Sequence, residues 1–490
     1  MKGNKGKKLN YKTLGLKCGL ELHLQLDTQH KLFCNCSTAM QQEAMMTVTR
    51  KQHPVPSELG EVDVAAQYEY LRDRTFNYQI FRGETCLVEL DEEPPHELNE
   101  EALRIALQIA LLLNCKIPEE LHVMRKTVID GSTPTGFQRT CVVGTDGFIR
   151  YKGKRVPIAH VCLEEDAAAI VEETGKTITY RLNRLGIPLV EISTGLLAGY
   201  NPEDVQEIAY LIGIVCKSTG RTKRGIGSIR QDVNVSIRRG ARVEIKGVQE
   251  LGLIAKVIQK EVERQLSEAK PKEETRAANP DGTTRYMRPL PGAHRLYPET
   301  DLPPVPVTQE LLKQLKDTLP EPWTKKLARF KRRLKLSPDL ARQILRSDYL
   351  ELFERIVEKN KKVEPSVVAN TFVSLVKDLK KREHVAVEQL AERHFVEVFD
   401  ALGRRKIVKE AIPELLKYLA EHPEQSVGAA VKELELEVMK KSELKKIVLA
   451  VVRDYPEMNR DKVFGIVMSR VRGRAEAAEV MKIVKKLKKR

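Results

Sequence analysis

No run of eighteen apolar residues occurs in the 490-residue chain, which excludes a membrane-spanning helix of ordinary length. No charged-then-apolar leader opens it either; MKGNKGKK is a short basic tail, and the expectation is a soluble chain of two to four domains. The eight cysteines form no disulfide-like framework, which fits a reducing cytoplasm. Familiar nucleotide loops are missing. The GxG at Gly225-Ile226-Gly227 leads from a helix-like segment, 202 to 216, into a strand, whereas phosphate loops lead from strand to helix. It reads either as backbone amides offered to a phosphate beside Lys223 and Arg224 or as a tight turn. No serine nucleophile elbow or Ser/Lys amidase pattern stands out, which argues against an ammonia-releasing hydrolase.

Cationic charge is in excess: 84 Lys and Arg face 68 Asp and Glu, a net +16. A polyanionic partner follows, with nucleic acid the commonest, although a high charged fraction also suits a heat-adapted surface. Glycine and proline are frequent up to about residue 305 and glycine is almost gone beyond 308, where Leu, Val, Lys and Glu dominate. The proline-dense stretch from Arg288 to Pro306 forbids a continuous helix there. The fold class is therefore α+β: a strand-rich domain over 1–305, then helical material. In the latter, Leu340 to Glu358 and Val367 to Lys381 carry apolar residues three and four apart, as amphipathic helices do.

Cys18 to Asp27 shows the plainest pattern. Leu20, Leu22, Leu24 and Leu26 alternate with Glu21, His23 and Gln25, the two-residue period of a half-buried strand. Similar stretches recur: Arg230, Asp232, Asn234 and Ser236 share one face of 229–237; Arg242, Glu244 and Lys246 share another; Pro188 to Ser193 and His160 to Asp166 run into carboxylates. If Glu21, His23, Glu165, Glu191 and Asp232 converge, their mutual repulsion demands a hard cation such as Mg²⁺. The alternative is that each faces water on its own strand. Cys34 and Cys36 offer two corners of a zinc site, with Cys86, His53 and His96 as candidates to close it, or are buried thiols. The other five cysteines read as small core residues.

Taken together, Gly19 to His23, Leu32 to Cys36, Ser57 to Asp63, Cys86 to His96, Gly136 to Thr140, Leu163 to Asp166, Ile229 to Ser236, Val243 to Leu251 and Tyr297 to Asp301 resemble the GatB/GatE family, and within it the archaeal glutamyl-tRNA(Gln) amidotransferase chains of the GatE type. The likeness runs through nearly the whole chain. It implies an antiparallel-sheet cradle domain over 1–305, a helical domain over 306–428 and a small basic, YqeY-like helical tail over 429–490. It also implies an activity: Glu on tRNA(Gln) is phosphorylated by ATP, and ammonia from a GatD-type, asparaginase-like glutaminase subunit displaces the phosphate in a heterotetramer of two GatD and two GatE chains. By resemblance His23, Glu165 and Asp232 are Mg²⁺ ligands, with Glu21 and Glu191 beside them. Gln138, Arg139, Arg230, Asn234 and Lys246 are candidates for substrate, ATP phosphate or the tRNA terminus.

One departure is large. Where GatE-type chains carry an aspartyl-tRNA-synthetase-like insertion, Gln265 to Lys272 runs straight into Glu273 to Arg276. The cradle residues are kept; tRNA affinity and selectivity are what the change touches. A smaller departure is Ser132-Thr133-Pro134-Thr135, where proline fixes a loop. Residues 461–490 hold ten Lys and Arg against three acids, a net +7. Arg470, Arg472, Arg474, Lys482, Lys485 and Lys486 suit tRNA phosphates, since charge gives affinity and base edges give sequence; the alternative is a solvated helix face. Two functions remain: the amidotransferase, and a noncatalytic tRNA-binding scaffold of the same fold. The carboxylate set discriminates, because binding alone needs no metal cluster.

Overall fold

The protein is described by a computed structural model covering residues 9–56, 60–223, 229–290, 296–471 and 473–487. The Gly225-Ile226-Gly227 loop with Arg224, the Ser57-Glu58-Leu59 start of one motif, Arg472 and the last three residues lie outside the described residues. The chain divides into two compact units, Met1–Pro322 and Trp323–Arg490.

An eleven-stranded sheet forms the first unit. Ten strands carry the argument: β1 (Lys17–Gln25), β2 (Val123–Thr127), β3 (Phe137–Tyr151), β4 (Lys154–Glu165), β5 (Pro188–Thr194), β6 (Ile229–Ser236), β7 (Val243–Val248), β8 (Glu274–Ala278), β9 (Thr284–Pro289) and β10 (Leu296–Pro298). Their spatial order is β9-β8-β7-β6-β1-β5-β4-β3-β2-β10, which puts β1 between β5 and β6. Every pairing along this path is antiparallel except β7 with β8. A parallel pair needs a crossover, and the helix Ile254–Ser267 supplies it. Between that helix and β8 lie only residues 268–273, a short and largely exposed loop, so the sheet closes where the insertion was expected.

Local chemistry sets these elements. Leu20, Leu22 and Leu24 on β1 are fully buried, while Glu21, His23 and Gln25 between them are half-buried. The β3–β4 hairpin turns on Lys152 and Gly153, both at positive φ, as a two-residue turn matching the strand twist requires. The helix Pro202–Lys217 starts with proline behind a reciprocal Asn201/Asp204 capping box. It packs against β1, as Ile254–Ser267 does against β6 and Glu100–Leu112 against β3 and β4. These helices cover the apolar face and leave the polar face of the sheet uncovered by them. A smaller four-stranded sheet joins Met46–Arg50, Thr75–Ile80, Thr177–Arg181 and Ala169–Thr174 over its own core of Phe76, Tyr78 and Tyr180.

Among the described residues the second unit is helical. The helix Gln309–Asp317 is not part of it; it packs on Glu100–Leu112 in the first unit, so the change in composition near 306 precedes the structural division. The apolar period from Leu340 to Glu358 is two helices, Pro338–Arg346 and Leu350–Lys359, because Ser347 leaves the helical conformation and its hydroxyl binds the Ile344 carbonyl. Two separate cores follow, one from Phe330 to Leu436 and one from Met439 to Val484. No helix among the described residues is long and apolar enough to cross a membrane.

Candidate active site on the polar face of the sheet

Register decides which side chains meet. Opposite Glu21 stand Ser193 on β5 and Asp232 on β6; opposite His23 stand Glu191 and Arg230. Glu191 in turn faces Cys162, and Leu189 faces Glu164. With two-residue alternation, Glu164, Glu191, His23, Glu21, Asp232 and Asn234 therefore share one face across four strands, and Glu244 with Lys246 extends it onto β7.

Two acidic groups form there. In the first, ligand atoms of His23, Glu164 and Glu191 all lie within 4.8 Å of one another. His23 Nε2 is 3.2 Å from Glu191 Oε2; Lys126 lies 2.8 Å from Glu164 and 3.7 Å from Glu191; Thr140 donates to Glu164 at 2.7 Å. Burial alone would lower His23, but its hydrogen bond to Glu191 and that carboxylate's charge raise it. Burial would raise Glu191, yet Lys126 and the His23 hydrogen bond hold it well below the usual carboxylate range. The second group is Glu21, Asp232 and Glu244, again within 4.8 Å. Lys246 reaches Asp232 at 3.1 Å and Glu244 at 2.9 Å, and Asn234 donates to Glu21 at 3.3 Å. Burial and then the Glu191 charge push Glu21 up to about 7. A cleft of about 370 Å³ opens beside this second group, lined by Lys17, Glu21, Thr194, Asn234, Arg242 and Glu244.

Both donor sets suit a hard divalent cation: clustered carboxylate oxygens with one imidazole, and too few cations among them to balance the charge. The expected set is brought together only in part. Glu21 and Asp232 are in one group, His23 and Glu191 in the other, and Glu165 is in neither. Glu165 follows Glu164 on the strand and so points to the opposite face, where Arg139 binds it through its backbone N–H at 3.0 Å and its guanidinium at 3.5 Å. Arg139 also donates to Glu299 at 2.8 Å, and the ion-paired cluster is buried. Arg139 is therefore not on the polar face, whereas Gln138 is, donating to Glu164 at 3.1 Å. Arg230 is held by Asp166, which also accepts from Gln25 at 2.6 Å.

Sequence reasoning did not single out Glu164, Glu244 or Lys126. Counting by two from His160 through Cys162 gives Glu164, so that signal was present; Lys126 carried none.

A third group lies apart. Cys34, Cys36, Cys86 and Glu89 offer four ligand atoms within 4.8 Å, a set that fits zinc. Glu89 takes the place expected of a histidine. It accepts from Cys34 Sγ at 3.3 Å, from the Cys86 backbone at 2.7 Å and from the buried Lys31 amine at 2.7 Å. Hydrogen bonds from Cys34 and Cys36 hold Cys86 far below the usual thiol range. His96 is beside Glu93 at 3.7 Å and His53 stacks near Tyr70, so neither belongs to the group. In the tail, Lys482, Lys485 and Lys486 are exposed on one side of the helix Ala477–Leu487, while Arg470 and Arg474 lie 4.0 and 3.9 Å from Asp454 and Glu443.

Comparison with known proteins agrees with this architecture. Residues 16–313 match the model of the GatB/GatE catalytic domain, and 351–487 match a second GatB domain. The chain is 35% identical to the E-type glutamyl-tRNA(Gln) amidotransferase subunit of Methanocaldococcus jannaschii over 625 residues, covering 98% of this chain and 99% of that protein. The corresponding protein of Pyrobaculum neutrophilum is 36% identical over 617 residues, covering 98% and 100%. Since 625 exceeds 490 by 135, at least that many aligned positions are residues of the relative without a counterpart here. With both domain models matched and full-length identity at this level, the chain belongs to the GatB/GatE family.

Proposed function

We propose that this chain is the subunit in which a tRNA-dependent amidotransferase converts Glu-tRNA(Gln) to Gln-tRNA(Gln), using ATP and ammonia. Its relatives carry that activity in their name. The observation that carries the reading is the pair of acidic groups side by side on one open sheet face, with a cleft at one end.

His23, Glu164 and Glu191 would hold one Mg²⁺, and Glu21, Asp232 and Glu244 a second cation. When bound, Mg²⁺ neutralises charge on the phosphates of ATP and on the transferring phosphoryl group. Lys246 and Arg230 lie on the same face and suit phosphate oxygens, and Asn234, at the cleft, suits a polar substrate group. The glutamyl carboxylate attacks the γ-phosphorus and ADP leaves; ammonia then attacks the activated carbonyl and phosphate leaves. The chain's task is to align these partners and exclude water. Ammonia comes from a GatD-type glutaminase partner, two copies of each chain forming a cytoplasmic heterotetramer. Zinc at Cys34, Cys36, Cys86 and Glu89 is structural, tying two loops beside the cradle, and the tail lysines contact tRNA.

The test is amidation of Glu-tRNA(Gln) with ATP, Mg²⁺ and an ammonium salt, without the partner. His23→Ala and Glu164→Gln are expected to lower turnover at least about 100-fold, the scale of losing one positioned electrostatic group, with tRNA binding kept. A parent chain that binds tRNA but never amidates it favours the noncatalytic scaffold instead.

A further inference from the structure

The tail accounts for part of the cationic excess. A second concentration lies at the start of the second unit: residues 323–346 hold nine Lys and Arg against one Asp, a net +8, half the formal charge of the whole chain. Most of it sits on the helix Trp323–Arg332 and the residues just after it, where seven cations meet no acid up to Lys335.

Packing fixes which way this helix faces. Phe330 is fully buried against Phe353 with ring centres 5.4 Å apart, and Trp323 and Leu327 lie on the same side. Lys326 and Arg329 reach across to Glu354, tying the helix to its neighbour Leu350–Lys359. Lys325, Lys331, Arg332, Arg333 and Lys335 are all exposed, and none has an acidic partner among the described residues. Thr324 and Ala328, also exposed, keep the ground between them low. Lys325 and Arg332 are seven residues apart, about 10 Å along the axis.

Ordinary explanations leave a remainder. Cations in the last helical turn favour the helix dipole, which accounts for Lys331 and Arg332 but not for Lys325, Arg333 or Lys335. A heat-adapted surface arranges its charges in paired networks, and these five are unpaired. Uncompensated charge at this density is destabilising by self-repulsion unless an anion meets it.

We propose that Lys325, Lys331, Arg332, Arg333 and Lys335 form a second docking surface for the phosphate backbone of the tRNA, distinct from the tail helix. The proposal rests on the reading of tRNA as substrate. It adds affinity without sequence preference, because ammonium and guanidinium groups at this spacing meet phosphates rather than base edges. In a chain that lacks the insertion its longer relatives carry, it supplies part of the grip on the substrate.

The full-length chain is titrated with a deacylated tRNA transcript between 50 and 300 mM KCl. For K325Q/K331Q/R332Q/R333Q the slope of log affinity against log salt is expected to fall by about 2 to 4, near 0.9 per lost phosphate contact. A control, K154Q/K270Q/K313Q/K316Q, removes the same charge from exposed positions of the first unit and is expected to keep the parent slope. A helix variant with the parent slope overturns the proposal, as does a control that falls equally, which means net charge alone matters. Should the quadruple variant melt early, R332Q/R333Q is the reference, with a drop of about 2 expected and no drop refuting. A parent that binds tRNA tightly but does not amidate sinks the catalytic reading and leaves this surface standing.

Discussion

Glu21→Gln should make the metal-free protein more stable, and increasingly so as pH rises. Glu21, Asp232 and Glu244 crowd together with Lys246 as the cation that pairs with two of them. Burial, and then the neighbouring Glu191, push Glu21 up to about 7 from an ordinary 4.5. A folded pKa above the unfolded one means the fold binds this proton more tightly, so the contribution is fully present below about 4.5 and is lost as pH climbs to 7. A shift of about 2.5 units corresponds to about 3 kcal/mol. Glutamine keeps the shape and removes the charge, so in EDTA the variant should match the parent near pH 5. By pH 8 it should melt on the order of 5 °C higher. Scanning calorimetry from pH 5 to 8 measures this. Adding Mg²⁺ at pH 8 should then raise the parent more than the variant, because the ion replaces the missing positive charge. A gap that stays constant with pH, or a variant no more stable than the parent at pH 8, refutes the crowding argument.

Glu165→Gln should destabilise rather than disable. It strips a partner from the buried Arg139, at a cost of about 3–5 kcal/mol, and the residual folded protein should keep its Mg²⁺ dependence; loss of turnover at full stability would place Glu165 in the chemistry after all. Metal analysis of purified protein should find one zinc per chain, falling in proportion in Cys34→Ser and Cys86→Ser. Full zinc in both variants would leave the cysteine group a packing cluster.

Much of this protein can be read along its sequence. The alternation around Glu21 and His23 gives a strand with one polar side, Asn201 with Pro202 opens a helix, and the glycine-poor second half is helical, because each depends on neighbours within a few residues. The blocks of matching residues also carried the family. What the chain could not reveal was which acids meet. Glu164 and Glu165 are adjacent in sequence and lie on opposite faces, and only the pairing of β4 with β5 tells which of them joins His23. Glu244 joins Glu21 through β6, and Glu89 joins cysteines some fifty residues away in the chain. Local pattern determines which side of a strand is wet. Which wet sides are brought to one place is decided by hydrogen-bonded register between distant segments, and a slip of one residue would have exchanged the site for its buried neighbour.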